Sequence, residues 1–442
     1  MAVKSKSPSR LYKSRYFIFF FAFILLYHIV VVKKFQLWQV DRFTYVHYLV
    51  DFSMGFCTKF LPGAVYNFLF RGDTAVWKVN LYNITLVLLL FLYVSYMLSK
   101  FITTQETAER RKSLLILFVF YLSGPCTFAM LTHELGILEI HLFLLTVAFL
   151  SAVENKYLKY AVPVFAVLAI IVHIASLIST IVFFLLILLY EASIQNRKRD
   201  RILYLALAAV TLAAAGLMSL YFIINEYDNV VYGMQEFNSI VQQRSQFDED
   251  IFLGYYDGEL YKDISSYNYG VFETNSLELK SFWIAAENSR LPAFLLNGLN
   301  TVLGRLNFQF RIYTATLPVS IYWLLPVLLI LLHLPMMILF FKFFKFKIMS
   351  GKKANNRLQA FTFLMLMLYV PIVLVVWYAF STDTLKYSAH TYLILFTFLL
   401  YVLKREPKET VDWLHAYFSK SNILYLLIYF AVYALFVSRP FT

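Results

Sequence analysis

The sequence predicts an all-α fold, a polytopic integral membrane bundle of about eleven transmembrane helices with one large extracytoplasmic loop. Three observations carry that expectation. The 442-residue chain is 60% hydrophobic and only 15% charged, with a mean hydropathy of +0.66. Its apolar runs reach roughly 18 residues or more, the length that crosses a bilayer. Finally, one long polar interval, residues 225–311, holds 12 of the 26 acidic residues against six bases, so it is net −6 in a chain of +13.

The first fifteen residues carry five bases and no acid, which places them in the cytoplasm by the positive-inside rule. The apolar run 16–32 follows without a small-residue cleavage site and reads as a retained first span. An outer loop, 33–77, comes next, and its middle, residues 48–70, is amphipathic and suited to the membrane interface. Spans at 79–98, 113–131 and 137–153 are joined by a basic loop (Lys100, Arg110, Arg111, Lys112) and by the tight outer turn THELG, 132–136.

Residues 161–192 are 32 nearly continuous apolar positions, too long for one ordinary helix; dividing them near His173 gives two spans and an outer turn. The loop NRKRDR then lies inside, and a seventh span, 202–224, leads to the acidic interval. Within that interval, 290–310 reads as a second interfacial helix. Spans at 316–341, 358–380, 388–403 and 423–437 complete the count, with the short outer turn STDTLKY at 381–387 and the C-terminus outside.

The chain therefore divides into membrane helices over 1–224, the large loop 225–315, and membrane helices over 316–442. This arrangement puts 25 of the 39 Lys and Arg residues inside, and every inner loop is basic. The same placement explains the net charge without a nucleic-acid partner. Two cysteines, Cys57 and Cys126, offer no disulfide framework and no metal spacing.

Polar residues at helix ends fall almost entirely on the outer side: Asp51, Lys59, His133, Glu134, Glu139, His141, His173, Asp383, Lys386 and His390. Ionisable groups near the hydrocarbon are costly and mark either a functional site or a buried pair. No P-loop, dinucleotide fingerprint or HExxH spacing is present. The sequon at Asn83–Thr85 lies inside a span.

An enzyme working on the outer face draws its activated substrate from the membrane, and a lipid-linked sugar diphosphate fits. Glycosyl transfer from such a donor needs a carboxylate to accept the attacking hydroxyl's proton, and cations to hold the departing diphosphate. Asp51, Glu134 and Asp383 are candidates for the first role; Arg42, Lys59, His133, His173, Arg244 and Lys386 are candidates for the second. The tyrosine-rich acidic loop offers ring faces and carboxylates to sugars.

DFSMGFCTKFLPG (51–63), THELG (132–136), the His173 turn and STDTLKY (381–387) together resemble the bacterial O-antigen and capsule repeat-unit polymerases, the Wzy-like family. Lys59 and Lys386 stand where that family's pattern carries Arg, and Ile174 follows His173 where it carries Glu. The resemblance implies a bacterial inner-membrane enzyme that joins undecaprenyl-diphosphate-linked units at the periplasmic face, with no metal and no cofactor. Its implied partners are the lipid-linked oligosaccharide, membrane lipids, a flippase and a chain-length regulator. Three other readings stand beside it: a lipid-phosphate-sugar transferase with its acid in the first outer loop, a membrane O-acyltransferase using His133 or His141, and a flippase. The last predicts matched halves and midplane helix breaks.

Overall fold

A computed structural model describes residues 15–32, 38–40, 42–56, 58–123, 135–225, 243–245, 324–353, 357–380 and 384–418. Among these the chain is helical, with no strand; an isolated parallel bridge pairs Val40 with Leu135. The twelve longer helices are α1 Arg15–Tyr27, α2 Phe60–Phe70, α3 Val76–Thr103, α4 Ala108–Ser123, α5 Leu138–Glu154, α6 Val162–Val172, α7 Thr180–Ile194, α8 Lys198–Asn225, α9 Leu324–Lys353, α10 Arg357–Phe380, α11 Thr384–Arg405 and α12 Pro407–Tyr417.

Three stretches of the described residues are long and apolar enough to cross a membrane: Val76–Thr103, Ile174–Ile194 and Lys198–Phe222. At 1.5 Å per residue, a 28-residue helix such as α3 reaches about 42 Å, beyond the hydrocarbon thickness of about 30 Å. By length and composition, these helices mark the chain as a membrane protein. The predicted final span, 423–437, and the predicted helix at 290–310 lie outside the described residues.

The long apolar run breaks at His173. Its backbone is extended there (φ −162°, ψ 123°), between the end of α6 and a 3-10 turn, Ile174–Leu177, that leads into α7. Two segments predicted as loops are instead helical. α9 runs on through the basic stretch to Lys353, because Phe340, Phe343 and Phe344 keep a buried face while Lys342 and Lys345 point outward. The basic segment 404–420 contains α12, which begins with Pro407, buries Val411, Leu414 and Tyr417, and carries Glu409 in its first turn and His415 in its last. That charge order suits the helix dipole.

One hydrophobic core joins α1 to α12, so the helices before and after the long loop are not separate packing units. Hydrogen bonds and ion pairs identify its two ends. At one end Lys59 N–H donates to the Ile171 carbonyl (2.8 Å), Tyr48 Oη lies 3.1 Å from the Gly136 carbonyl oxygen, and Tyr369 Oη donates to the Ile178 carbonyl (2.7 Å). At the other end Arg110 meets Asp412 (2.5 Å), Lys404 meets Glu154, and Arg405 meets Glu191 (2.6 Å).

Candidate functional site

The segment between α1 and α2 forms the floor of the first end. Asp51 has an extended backbone and caps the 3-10 turn Phe52–Met54; its Oδ1 accepts from the Ser53 N–H (2.8 Å) and from the Ser53 hydroxyl. Its Oδ2 accepts from Asn67 Nδ2 on α2 (2.7 Å) and from Arg244 Nη1 (3.1 Å). Arg244 also donates from Nη1 to the Leu49 carbonyl (2.9 Å), while its own carbonyl accepts from the Thr74 hydroxyl (2.6 Å). An Asp and an Arg separated by 193 residues thus meet on one small frame.

Packing holds that frame. α2 begins with Pro62 in its first turn, where a missing N–H is harmless, and presses Gly63 onto the backbone of residues 47–50. A Cβ at Gly63 would lie 1.9 Å from the Val50 carbonyl oxygen and 2.5 Å from that of His47. Beyond α2, Tyr66 Oη donates to the Asp73 carbonyl (2.7 Å) and Tyr45 Oη to the Thr74 carbonyl, so the turn that anchors Arg244 is itself pinned.

The Asp51 side chain is 18% exposed and that of Arg244 32%. Burial alone would raise the Asp51 pKa. The hydrogen bonds from Ser53 and Asn67, with the Arg244 charge, outweigh it and hold the carboxyl below its ordinary value. Asp51 is therefore an ionised carboxylate at neutral pH with both oxygens engaged.

His173 caps the 3-10 turn, its Nδ1 accepting from the Ala175 N–H (3.0 Å), which leaves the proton of the neutral ring on Nε2. Lys59 takes a left-handed backbone (φ 71°) at the start of α2, and its N–H reaches the carbonyl of Ile171, two residues before His173. Of the sequence-predicted residues, Asp51, Arg244, Lys59 and His173 make the contacts described at this end. Asp51 and Arg244 are in contact. Arg42 falls on the short helix Arg42–Tyr45 and Lys386 on the first turn of α11. His133, Glu134 and Asp383 lie outside the described residues, as does the acidic loop apart from 243–245.

Other predicted polar positions are used in packing. Asn83 of the sequon is buried, accepting from Tyr48 Oη (2.7 Å) and donating to the Val79 carbonyl (3.0 Å), so it is a helix-packing residue. The His141 ring sits 6.4 Å from that of Tyr48. His390 is buried in α11, with Nε2 3.3 Å from the Thr180 hydroxyl. No group of three or more His, Cys, Asp or Glu side chains suited to a metal occurs among the described residues.

The expectation that polar residues at helix ends fall almost entirely on one side needs correction. At the opposite end Glu191, whose side chain is fully buried, receives Arg405 through Nε (2.7 Å) and Nη2 (2.6 Å) and the Tyr401 hydroxyl (2.6 Å). Glu406 gathers Lys347, Tyr190 (2.9 Å) and Gln359 (3.0 Å), and Glu409 takes Ser350 (2.6 Å) and Lys347 (3.3 Å). The outlying signal was Glu191, the only acid in the apolar run of α7. Asn67 was likewise missed: a single amide on an otherwise apolar helix carries little sequence signal.

Comparison with protein-family models, with curated proteins and with solved structures gives no match to this chain.

Proposed function

We propose that this chain is a polytopic glycosyltransferase of about eleven spans in a bacterial inner membrane, and that it joins undecaprenyl-diphosphate-linked oligosaccharide units on the extracytoplasmic face. The single observation that carries the reading is the meeting of Asp51 and Arg244 beside the Lys59 and His173 turns, at one end of the helical core. Glycosyl transfer from a lipid diphosphate builds negative charge on the leaving group, and a fixed guanidinium with partly free N–H groups is the side chain best suited to hold it. Arg244 is pre-positioned for this through Asp51 and two backbone contacts. Lys59 and His173 add donors from the neighbouring turn.

A good general base has a pKa near the working pH, and Asp51 is shifted the other way. Its role in this reading is to orient Arg244, since its four acceptor positions are already taken by Ser53, Asn67 and Arg244, with proton removal assigned to Glu134 or Asp383. Arg42, His133 and Lys386 complete the cationic set in the proposal.

Glycan chain length in cells lacking the gene tests the reading, with complementation by wild type, Arg244→Ala, Asp51→Asn, Glu134→Gln or Asp383→Asn. Single repeat units on the lipid anchor in the deletion, with long chains restored by wild type but not by Arg244→Ala, support polymerisation. Long chains that lack a substituent favour the acyl- or side-branch transferase. Lipid-linked units retained inside the cell favour a flippase.

A further inference from the structure

α2 has two unlike faces. Phe60, Gly63 and Tyr66 are buried against the Asp51 frame, whereas Val65, Phe68 and Leu69, spaced three and four residues apart, are exposed, Phe68 to 85%. Large apolar side chains this exposed on one helix face need a partner. Exposed side chains resume past Arg71 on α3, at Trp77 (63% exposed), Leu81, Thr85 and Leu89, four residues apart.

α3 is long and apolar enough to cross a membrane. The Thr85 hydroxyl in this stripe donates back to the Leu81 carbonyl (2.7 Å), as a side chain facing hydrocarbon must. At the junction, Arg71 is exposed and Lys78 lies over the Trp77 ring at 5.3 Å. Aromatic rings beside cations at a helix end are the composition of a bilayer interface.

We infer that the Val65–Phe68–Leu69 face of α2 rests in the boundary between lipid headgroups and acyl chains, continuous with the lipid-facing stripe of α3. Asn67 joins Asp51 while its neighbour Phe68 enters the lipid, so the Asp51–Arg244 pair sits at headgroup depth. This placement does not depend on the glycosyltransferase reading.

The test is a depth measurement on the full chain in phosphatidylethanolamine–phosphatidylglycerol vesicles. Single cysteines at Phe68, Ser53 and Leu89, in a Cys57→Ser, Cys126→Ser background, carry a bimane label. Quenching is compared for nitroxides at the headgroup, at the upper acyl chain and deep in the bilayer, and for aqueous iodide. The Phe68 label should respond most to the headgroup and upper-acyl nitroxides, Leu89 to the deeper ones, and Ser53 to the headgroup one. A Phe68 label quenched mainly by iodide overturns the inference, because the face is then in water. A label shielded from lipid and iodide alike also overturns it, because a second copy or another protein then covers the face. Val65→Cys repeats the reading on the same face should labelling at Phe68 disturb α2.

Discussion

Gly63→Ala separates intrinsic helix preference from packing at the Asp51 frame. In an isolated helix, Gly to Ala is favourable by about 0.5–1 kcal/mol. Here the added methyl meets the Val50 carbonyl oxygen at 1.9 Å, and an acceptable separation starts near 3.0 Å, so α2 must move off residues 47–50 by at least 1.1 Å. The obstructing atoms are backbone and cannot rotate away. Overpacking of this kind costs about 1–3 kcal/mol. A shift of that size along the 2.7 Å Asn67–Asp51 hydrogen bond also takes it out of range, at about 1.5–3 kcal/mol for a bond to a charged group. After subtracting the helix-propensity gain, the expected loss is about 2–5 kcal/mol, located where Asp51 is held. Thermal melts of the purified protein in detergent measure the loss. Gly216→Ala in α8 is the control, since nothing lies within 4 Å of its Cβ position and the change should be neutral or stabilising. If Gly63→Ala melts as high as Gly216→Ala, α2 does not press on the 47–50 backbone and the account of the frame is wrong.

Three further outcomes are expected. Glu191→Ala strands Arg405 and Tyr401 and should cost about 3–5 kcal/mol, towards the lower figure because Arg405 is partly exposed; Glu191→Leu with Arg405→Leu should recover most of the melting temperature. Asp51 has a folded pKa below its ordinary 3.8, so its contribution is complete above 3.8 and is lost as pH falls through the lower folded value; the melting difference between wild type and Asp51→Asn should be flat at neutral pH and close only below 3.8. The Thr180–His390 pair is buried and the His390 Nδ1 has no hydrogen-bond partner, so Thr180→Val with His390→Leu should be less destabilising than His390→Leu alone in the same melts.

The helices were legible because apolar run length is a local property that the bilayer reads directly. The break at His173 was legible for the same reason: 32 nearly continuous apolar residues cannot form one ordinary span, and the single imidazole was the one ionisable group in the middle of the run. The extension of α9 and the existence of α12 were hidden by basic composition. Lys347 reads as a loop charge, yet its side chain is 1% exposed and neutralised by Glu406 and Glu409, which lie about 60 residues further along the chain. At the site, Asp51 and Arg244 were each visible as charges outside the apolar runs. Their contact was not, nor was the part played by Asn67, because sequence spacing does not say which segments of a helical bundle touch.

That same hidden network bears on the choice between an enzyme and a flippase. Alternating access requires each end of the bundle to open in turn. At the Glu191 end, two neighbouring groups of charges tie α7 to α11 through Glu191 and Arg405, and α9 to the α11–α12 junction through Lys347 and Glu406. Parting these helices would expose or strand a carboxylate with no solvent contact and a lysine with almost none. Breaking one such pair costs about 3–5 kcal/mol, and more than one would have to break together. The opposite end has Arg244 and Asp51 partly open to solvent, and the backbone around them is fixed by local caps and by the contact at Gly63. A bundle locked at one end, with a solvent-accessible ion pair at the other, suits chemistry on one face better than passage between two.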